Sequence, residues 1–312
     1  MRVFLAGATG AIGRQLVPML LGEGHEVIGT TRSAARASQI EAAGARAVVV
    51  DALDAEALTS AVVEAAPDAL IHELTSLPQR IDSRTIERDF VVNDRLRTEG
   101  TSNLIAAARA AGVRRILAQS IAFSYAPGPP GTVHVESDPL LRGQDTFKSF
   151  ARSAEALREL ERLTLDAGGL ALRYGYFYGP ATAICSEGST GQMARKRQLP
   201  IVGGGSGVWS FVHIRDAAAA TLAALTHGES GAYNVVDDEP ALVREWIPAL
   251  AQAVGGRPPR RVPSWLARPL AGSYGVHAMT RAQGASNALA KRELGWTPVH
   301  PSWREGFKSA LG

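Results

Sequence analysis

Seven residues near the start of the chain, Gly7-Ala8-Thr9-Gly10-Ala11-Ile12-Gly13, constrain its fold more than any others. They follow the apolar run Val3-Phe4-Leu5-Ala6 and lead into an amphipathic stretch from Gln15 to Leu21. The order is strand, glycine turn, helix. Bare backbone at such a turn lets a phosphate approach, and the helix start offers N–H groups with a partial positive charge. Gly7 permits the turn, Gly10 the close approach, and Gly13 the packing of helix on strand. Gly7, Thr9, Gly10, Ala11, Ile12 and Gly13 therefore read as a cradle for a dinucleotide pyrophosphate.

The end of the next strand selects the dinucleotide. An NAD site carries Asp or Glu about 20 residues beyond the turn, whereas an NADP site favours Arg. Here Glu26–Thr30 runs into Thr31-Arg32-Ser33, and Glu26 lies at the wrong end. Arg32 can pair bidentately with a 2′-phosphate, and Ser33 can donate to it. The expected cofactor is NADP (NADPH).

Short apolar runs then alternate with helical periodicity. Strands are expected at 3–6, 26–30, 47–50, 69–72, 115–119 and 170–173. Helices are expected at 11–21, 34–43, 55–65, 94–111 and 147–166. This βα repetition predicts an α/β fold, a Rossmann doubly wound parallel sheet with a smaller C-terminal substrate-binding lobe. The expected division is residues 1–178 for the NADP-binding domain and 179–312 for the lobe. Parts of 208–236 are expected to pack back on the sheet.

The chain has 33 basic and 30 acidic residues, and aromatics make up 6%. No basic run is interleaved with aromatics, so nucleic acid is not an expected partner. No apolar run reaches about 18 residues, so no membrane span is expected. The lone Cys185 allows no internal disulfide and fits a reduced, cytoplasmic setting. Seven histidines lack metal-ligand spacing, and no metal is expected.

Further motifs give a resemblance. Asp51-Ala52 follows the third strand, and Ile71-His72-Glu73-Leu74-Thr75 the fourth. Gly100-Thr101-Ser102-Asn103-Leu104 leads to Gly112-Val113-Arg114-Arg115 and Ser120. Leu172-Arg173-Tyr174-Gly175, Tyr178-Gly179-Pro180, Phe211-Val212-His213-Ile214-Arg215-Asp216, Tyr233-Asn234-Val235-Val236 and Leu294-Gly295-Trp296-Thr297-Pro298 complete the set. In order and spacing the chain resembles the short-chain dehydrogenase/reductase superfamily in its extended, epimerase/dehydratase-like form. The resemblance implies that Asp51 and Ala52 meet the adenine and that Leu74 and Thr75 line the cofactor. It places Ser120, Tyr174 and Gly175 beside the nicotinamide, with Ser120 holding the substrate oxygen. It also implies a small-molecule substrate and a homodimer through the fourth and fifth helices, a face that Arg97, Arg152 and Arg158 make polar here.

The family's proton relay, Tyr-x-x-x-Lys on the helix after strand five, is missing. Positions 147, 150, 151 and 154 hold Phe, Phe, Ala and Ala, and no tyrosine in the chain has a lysine four residues on. Arg97 stands where many relatives carry Asn, and Tyr174 where Pro is usual. Tyr125, in the loop after Ser120, or water is the candidate replacement proton donor. Tyr174, Tyr176 and Tyr178 alternate and are expected on one face. Lys148 reads as a surface residue, His72 as structural and Glu73 as a solvated or paired carboxylate. The expected activity is NADP-dependent oxidoreduction of a carbonyl or enone. The alternatives are a redox-neutral dehydratase, isomerase or cyclase on the same scaffold, and an NADP-sensing module.

Overall fold

A computed structural model describes residues 1–78 and 80–310. Strand β1 (Arg2–Ala6) buries Val3, Phe4 and Leu5 completely and feeds the glycine turn and helix α1 (Gly13–Gly22). Then follow β2 (Glu26–Thr31), α2 (Ala34–Ala42), β3 (Arg46–Val49), α3 (Ala55–Ala65) and β4 (Ala69–His72). Asp54 starts α3 by accepting the Ala57 N–H at 3.1 Å, an N-cap that satisfies one orphan donor. Helices α4 (Ile86–Asp89), α5 (Val91–Arg95) and α6 (Thr101–Ala110) lead to β5 (Arg115–Ile121). Helix α7 (Lys148–Asp166) buries Phe150, Ala154, Leu157, Leu160 and Thr164, the three-and-four spacing of one helical face. It is followed by β6 (Leu170–Tyr174).

A seventh strand comes from beyond the expected division. After β6 come β7 (Tyr176–Tyr178), β8 (Phe211–His213), α8 (Ile214–Ala223) and β9 (Gly231–Val235), the last being that seventh strand. The central sheet runs β9-β6-β5-β4-β1-β2-β3, and every pairing is parallel. The chain order reverses between β1 and β4, the crevice where such sheets bind ligands. One face packs Leu16, Val17 and Leu20 of α1 with Ala217 and Ala218 of α8. The other packs Leu58 and Val62 of α3 with Leu104 and Ala108 of α6. Among the described residues no helix is long and apolar enough to cross a membrane.

Three expectations need correction. The helix expected over 94–111 is broken by a π-turn at Leu96–Gly100, where the Thr101 hydroxyl donates to the Arg97 carbonyl at 2.7 Å. Such turns insert one residue and re-aim the side chains around it. Within 208–236, Gly231–Val235 joins the central sheet as β9, whereas 209–213, the other β-rich stretch in that range, does not, because β8 pairs with β7 instead. The cause is Gly175: its N–H bonds Val235, whereas the Tyr176 N–H bonds Ser210, so the strand changes partners there. A Cβ at Gly175 would meet the Ser210 carbonyl at 2.5 Å. The strand break also sends the three tyrosines to different places. Tyr174 joins the core beneath α1, Tyr178 packs in a second core with Trp303, and Tyr176 lies between Phe123 and Trp209.

Candidate active site

The nucleotide end is built from backbone. Gly7 has φ +102°, and a Cβ there would meet the Glu73 carbonyl at 2.7 Å. A Cβ on Gly13 would meet the Gly7 carbonyl at 2.4 Å, so this turn is packed to the main chain. Gly10 differs: its Cβ would touch only the Gly7 carbonyl, at 3.2 Å, and its other side is open. Among the described residues the Ala11 and Ile12 N–H groups find no acceptor. Bare backbone with unclaimed donors at a helix start fits a pyrophosphate. Thr9 and Ala11 are half-buried, while Ile12 is buried in the core.

At the end of β2, Arg32 and Arg36 are exposed and take no ion-pair partner among the described residues. Ser33 precedes α2 with extended backbone and makes no side-chain capping bond; its N–H donates to the Thr31 hydroxyl at 3.2 Å. Asp51 accepts the Leu53 N–H at 3.0 Å in a short turn beside buried Ala52. His72 shapes the loop carrying Leu74 and Thr75: its Nδ1 accepts the Leu74 N–H at 3.2 Å, and its Nε2 lies 3.1 Å from the Thr101 hydroxyl. Burial lowers its pKa to about 4, so it stays neutral. Glu73 is buried rather than solvated. The Tyr174 hydroxyl donates to one of its oxygens at 3.0 Å, and the other has no partner. Desolvation pushes its pKa up to about 8.

The expected catalytic pair is placed differently from expectation. The Ser120 hydroxyl is buried and donates to Glu161 of α7 at 2.5 Å. Glu161 pairs with Arg173 of β6 at 2.7 Å, and both are buried. Arg173 donates to the Tyr125 hydroxyl at 2.7 Å, and Tyr125 donates to Asn234 Oδ1 at 2.7 Å. One chain of bonds thus joins Ser120, Glu161, Arg173, Tyr125 and Asn234. Burial raises the Tyr125 pKa to about 12, against the pull of Arg173. Its proton is committed to Asn234.

A cavity of about 370 Å³ opens past the ends of β5 and β6. Phe123, Tyr125, Phe147 and Tyr176 line it, with Tyr274 and His277 from helix α9 (Ser264–Thr280). Ser120 does not line it. Phe123 stacks on Tyr176 with ring centroids 4.1 Å apart. Gly272, with φ 65°, kinks α9 so that its second half covers Phe147 and Phe150. Lys148 is exposed at the start of α7. Arg97, expected on a polar surface, is 8% exposed; its Nη1 lies 3.9 Å from Asp94 Oδ1, and neither atom has a hydrogen bond. Sequence reasoning missed Tyr274, His277 and the burial of Arg97. The available signal was the three-residue spacing of Tyr274 and His277 on one helical face.

His213, Asp216 and His300 come together although they are distant in sequence. Asp216 accepts the Val299 N–H at 3.1 Å and the His300 N–H at 2.8 Å. His213 Nδ1 accepts the Arg215 N–H at 3.4 Å. These bonds tie the C-terminal segment to the start of α8.

Cradle, switch point and cavity together define a dinucleotide-dependent enzyme on a doubly wound sheet. Residues 3–236 match the model of the NAD dependent epimerase/dehydratase family, and the chain belongs to that family. It is 45% identical over 310 residues to a 3-diazoavenalumate denitrifying reductase from a Streptomyces species, covering 98% of this chain and 99% of that protein. It is 27% identical to a 4-hydroxy-2-methyl-3-oxo-4-farnesyl-3,4-dihydroquinoline-1-oxide ketoreductase from Stigmatella aurantiaca, covering 82% and 74%. Its fold superposes on a Thermotoga maritima UDP-glucose 4-epimerase with TM-score 0.80 at 18% identity, covering 100% and 97%. The chain is therefore an NAD(P)-dependent enzyme of the epimerase/dehydratase type.

Proposed function

We propose that the protein is an NADPH-dependent reductase of a flat, conjugated small molecule, with a carbonyl or enone as acceptor. The observation that carries this reading is the aromatic-walled cavity at the carboxyl ends of β5 and β6. The reductase names of two relatives support it. When bound, the reduced nicotinamide supplies a hydride. Gly10 and the Ala11 and Ile12 N–H groups would hold the pyrophosphate, and Arg32 with Ser33 the 2′-phosphate. Asp51, Ala52, Leu74, Thr75 and Gly175 would shape the rest of the cofactor groove, whereas Tyr174, expected beside the nicotinamide, lies in the core with its hydroxyl bonded to Glu73 and Thr221. Phe123 and Tyr176 would orient the acceptor's plane. The bond network from Ser120 to Asn234 would set the wall they stand on.

The name of the 45%-identical relative favours a second reading, a diazo acceptor. Hydride adds to the terminal nitrogen of an aryl diazonium, N2 leaves, and the ring carbon gains hydrogen. No net proton is drawn from the protein. One experiment separates the readings: NADPH oxidation is followed with trans-cinnamaldehyde, benzylideneacetone and 4-carboxybenzenediazonium, with N2 release measured in parallel. Turnover of the first two supports the carbonyl or enone reading. Turnover of the diazonium alone, with matching N2, supports the second. Tight NADPH binding without consumption would replace both with a redox-neutral or sensing role.

A further inference from the structure

We propose that Tyr274 is the acid of this site, delivered from α9 across the cavity, with Arg97 as the cation that supports it. This rests on the carbonyl or enone reading. Phe147 or Phe150 stands where the resemblance places the family's tyrosine, and both rings lie against Tyr274. Its ring stacks on Phe150 with centroids 4.7 Å apart and planes at 20°, and meets Phe147 edge-on at 6.3 Å. A phenol therefore stands at the same patch of wall, supplied by a different element.

The other phenols are less suited. The Tyr125 hydroxyl is held by Asn234 and Arg173, and that of Tyr174 by Glu73 and Thr221. Tyr178 is fully buried away from the cavity. Tyr176 does line it, but its ring is clamped between Phe123 and Trp209, with centroids at 4.1 and 3.9 Å. Tyr274 is half-buried, lines the cavity, and has no hydrogen-bond partner among the described residues.

Arg97 adds what a bare phenol lacks. Its guanidinium is buried in the π-turn with Nη1 unbonded; burial pushes the Tyr274 pKa up to about 12, and the charge of Arg97 offsets part of that rise. As hydride arrives at the carbonyl carbon, the C=O π pair moves to oxygen. The Tyr274 O–H bond breaks, and its proton goes to that oxygen. The phenolate left behind is offset by Arg97 and takes a proton back from water at the cavity mouth. One NADPH and one proton are consumed for each alcohol formed.

The test is single-turnover NADPH oxidation with trans-cinnamaldehyde, in H2O and D2O, together with NADPH binding by calorimetry. Tyr274→Phe should slow hydride transfer by about 10²–10⁴-fold and abolish the solvent isotope effect, with unchanged NADPH affinity. Tyr178→Phe, on a ring buried away from the cavity, should retain both the rate and the isotope effect. Arg97→Gln should slow the step, and Arg97→Lys should restore most of it. A Tyr274→Phe enzyme that keeps wild-type rate and isotope effect overturns the assignment while leaving the reductase reading intact. Wild-type enzyme that never oxidises NADPH with the carbonyl acceptors overturns the reading and the assignment together.

Discussion

The two ends of ligand space are built by opposite means. At β1–α1 the work is done by backbone: Gly7 and Gly13 leave no room for a Cβ, and Gly10 leaves its outer side open. At β5–α7 it is done by side chains, and these are bonded to one another from Ser120 through Glu161, Arg173 and Tyr125 to Asn234. A backbone cradle survives sequence change as long as its glycines remain. A side-chain relay is lost with one substitution, and here Phe and Ala stand at the expected Tyr and Lys positions.

The largest effect should come from the cradle. Gly10→Val should abolish measurable NADPH binding in calorimetry while costing little thermal stability, because its Cβ meets one carbonyl at 3.2 Å. Binding retained at wild-type strength would break the contrast between the ends. Next comes the buried pair. Arg173→Leu leaves Glu161 charged and unpaired, so denaturant titration should show a loss of about 3–5 kcal/mol. A loss under about 1 kcal/mol would mean that water, not Arg173, satisfies Glu161.

How much of this the sequence revealed follows the same division. The glycine turn was legible because seven contiguous residues carry it, and local order fixes local structure. The direction of Ser120 was not legible, since its partner Glu161 lies 41 residues on. Side chains alternate along a strand, so a one-residue error in reading β5 turns a substrate contact into a core contact. Arg97 read as surface because a regular helix would put it there, whereas the π-turn at Leu96–Gly100 re-aims it. Tyr274 was passed over because Pro269 and Gly272 mask the helical pattern around it.

Smaller effects sharpen the comparison. Arg32→Ala should remove about 1–3 kcal/mol of NADPH-over-NADH preference, the scale of a charge-assisted hydrogen bond. Equal affinities in the wild type would remove Arg32 from the cofactor site. Tyr125→Phe should slow turnover by less than about tenfold, since the phenol is a link in the wall and not a donor. A loss of about 10²-fold or more would return Tyr125 to the catalytic role expected from the sequence.

The central claim is that this scaffold spends NADPH on its substrate. The direct measurement follows deuterium from NADPH labelled at both C4 positions, [4,4-²H2]NADPH, during turnover of trans-cinnamaldehyde. The account predicts one deuterium on carbon per product molecule, with NADPH consumed one for one. Product that forms while both deuteriums stay on the cofactor would contradict it.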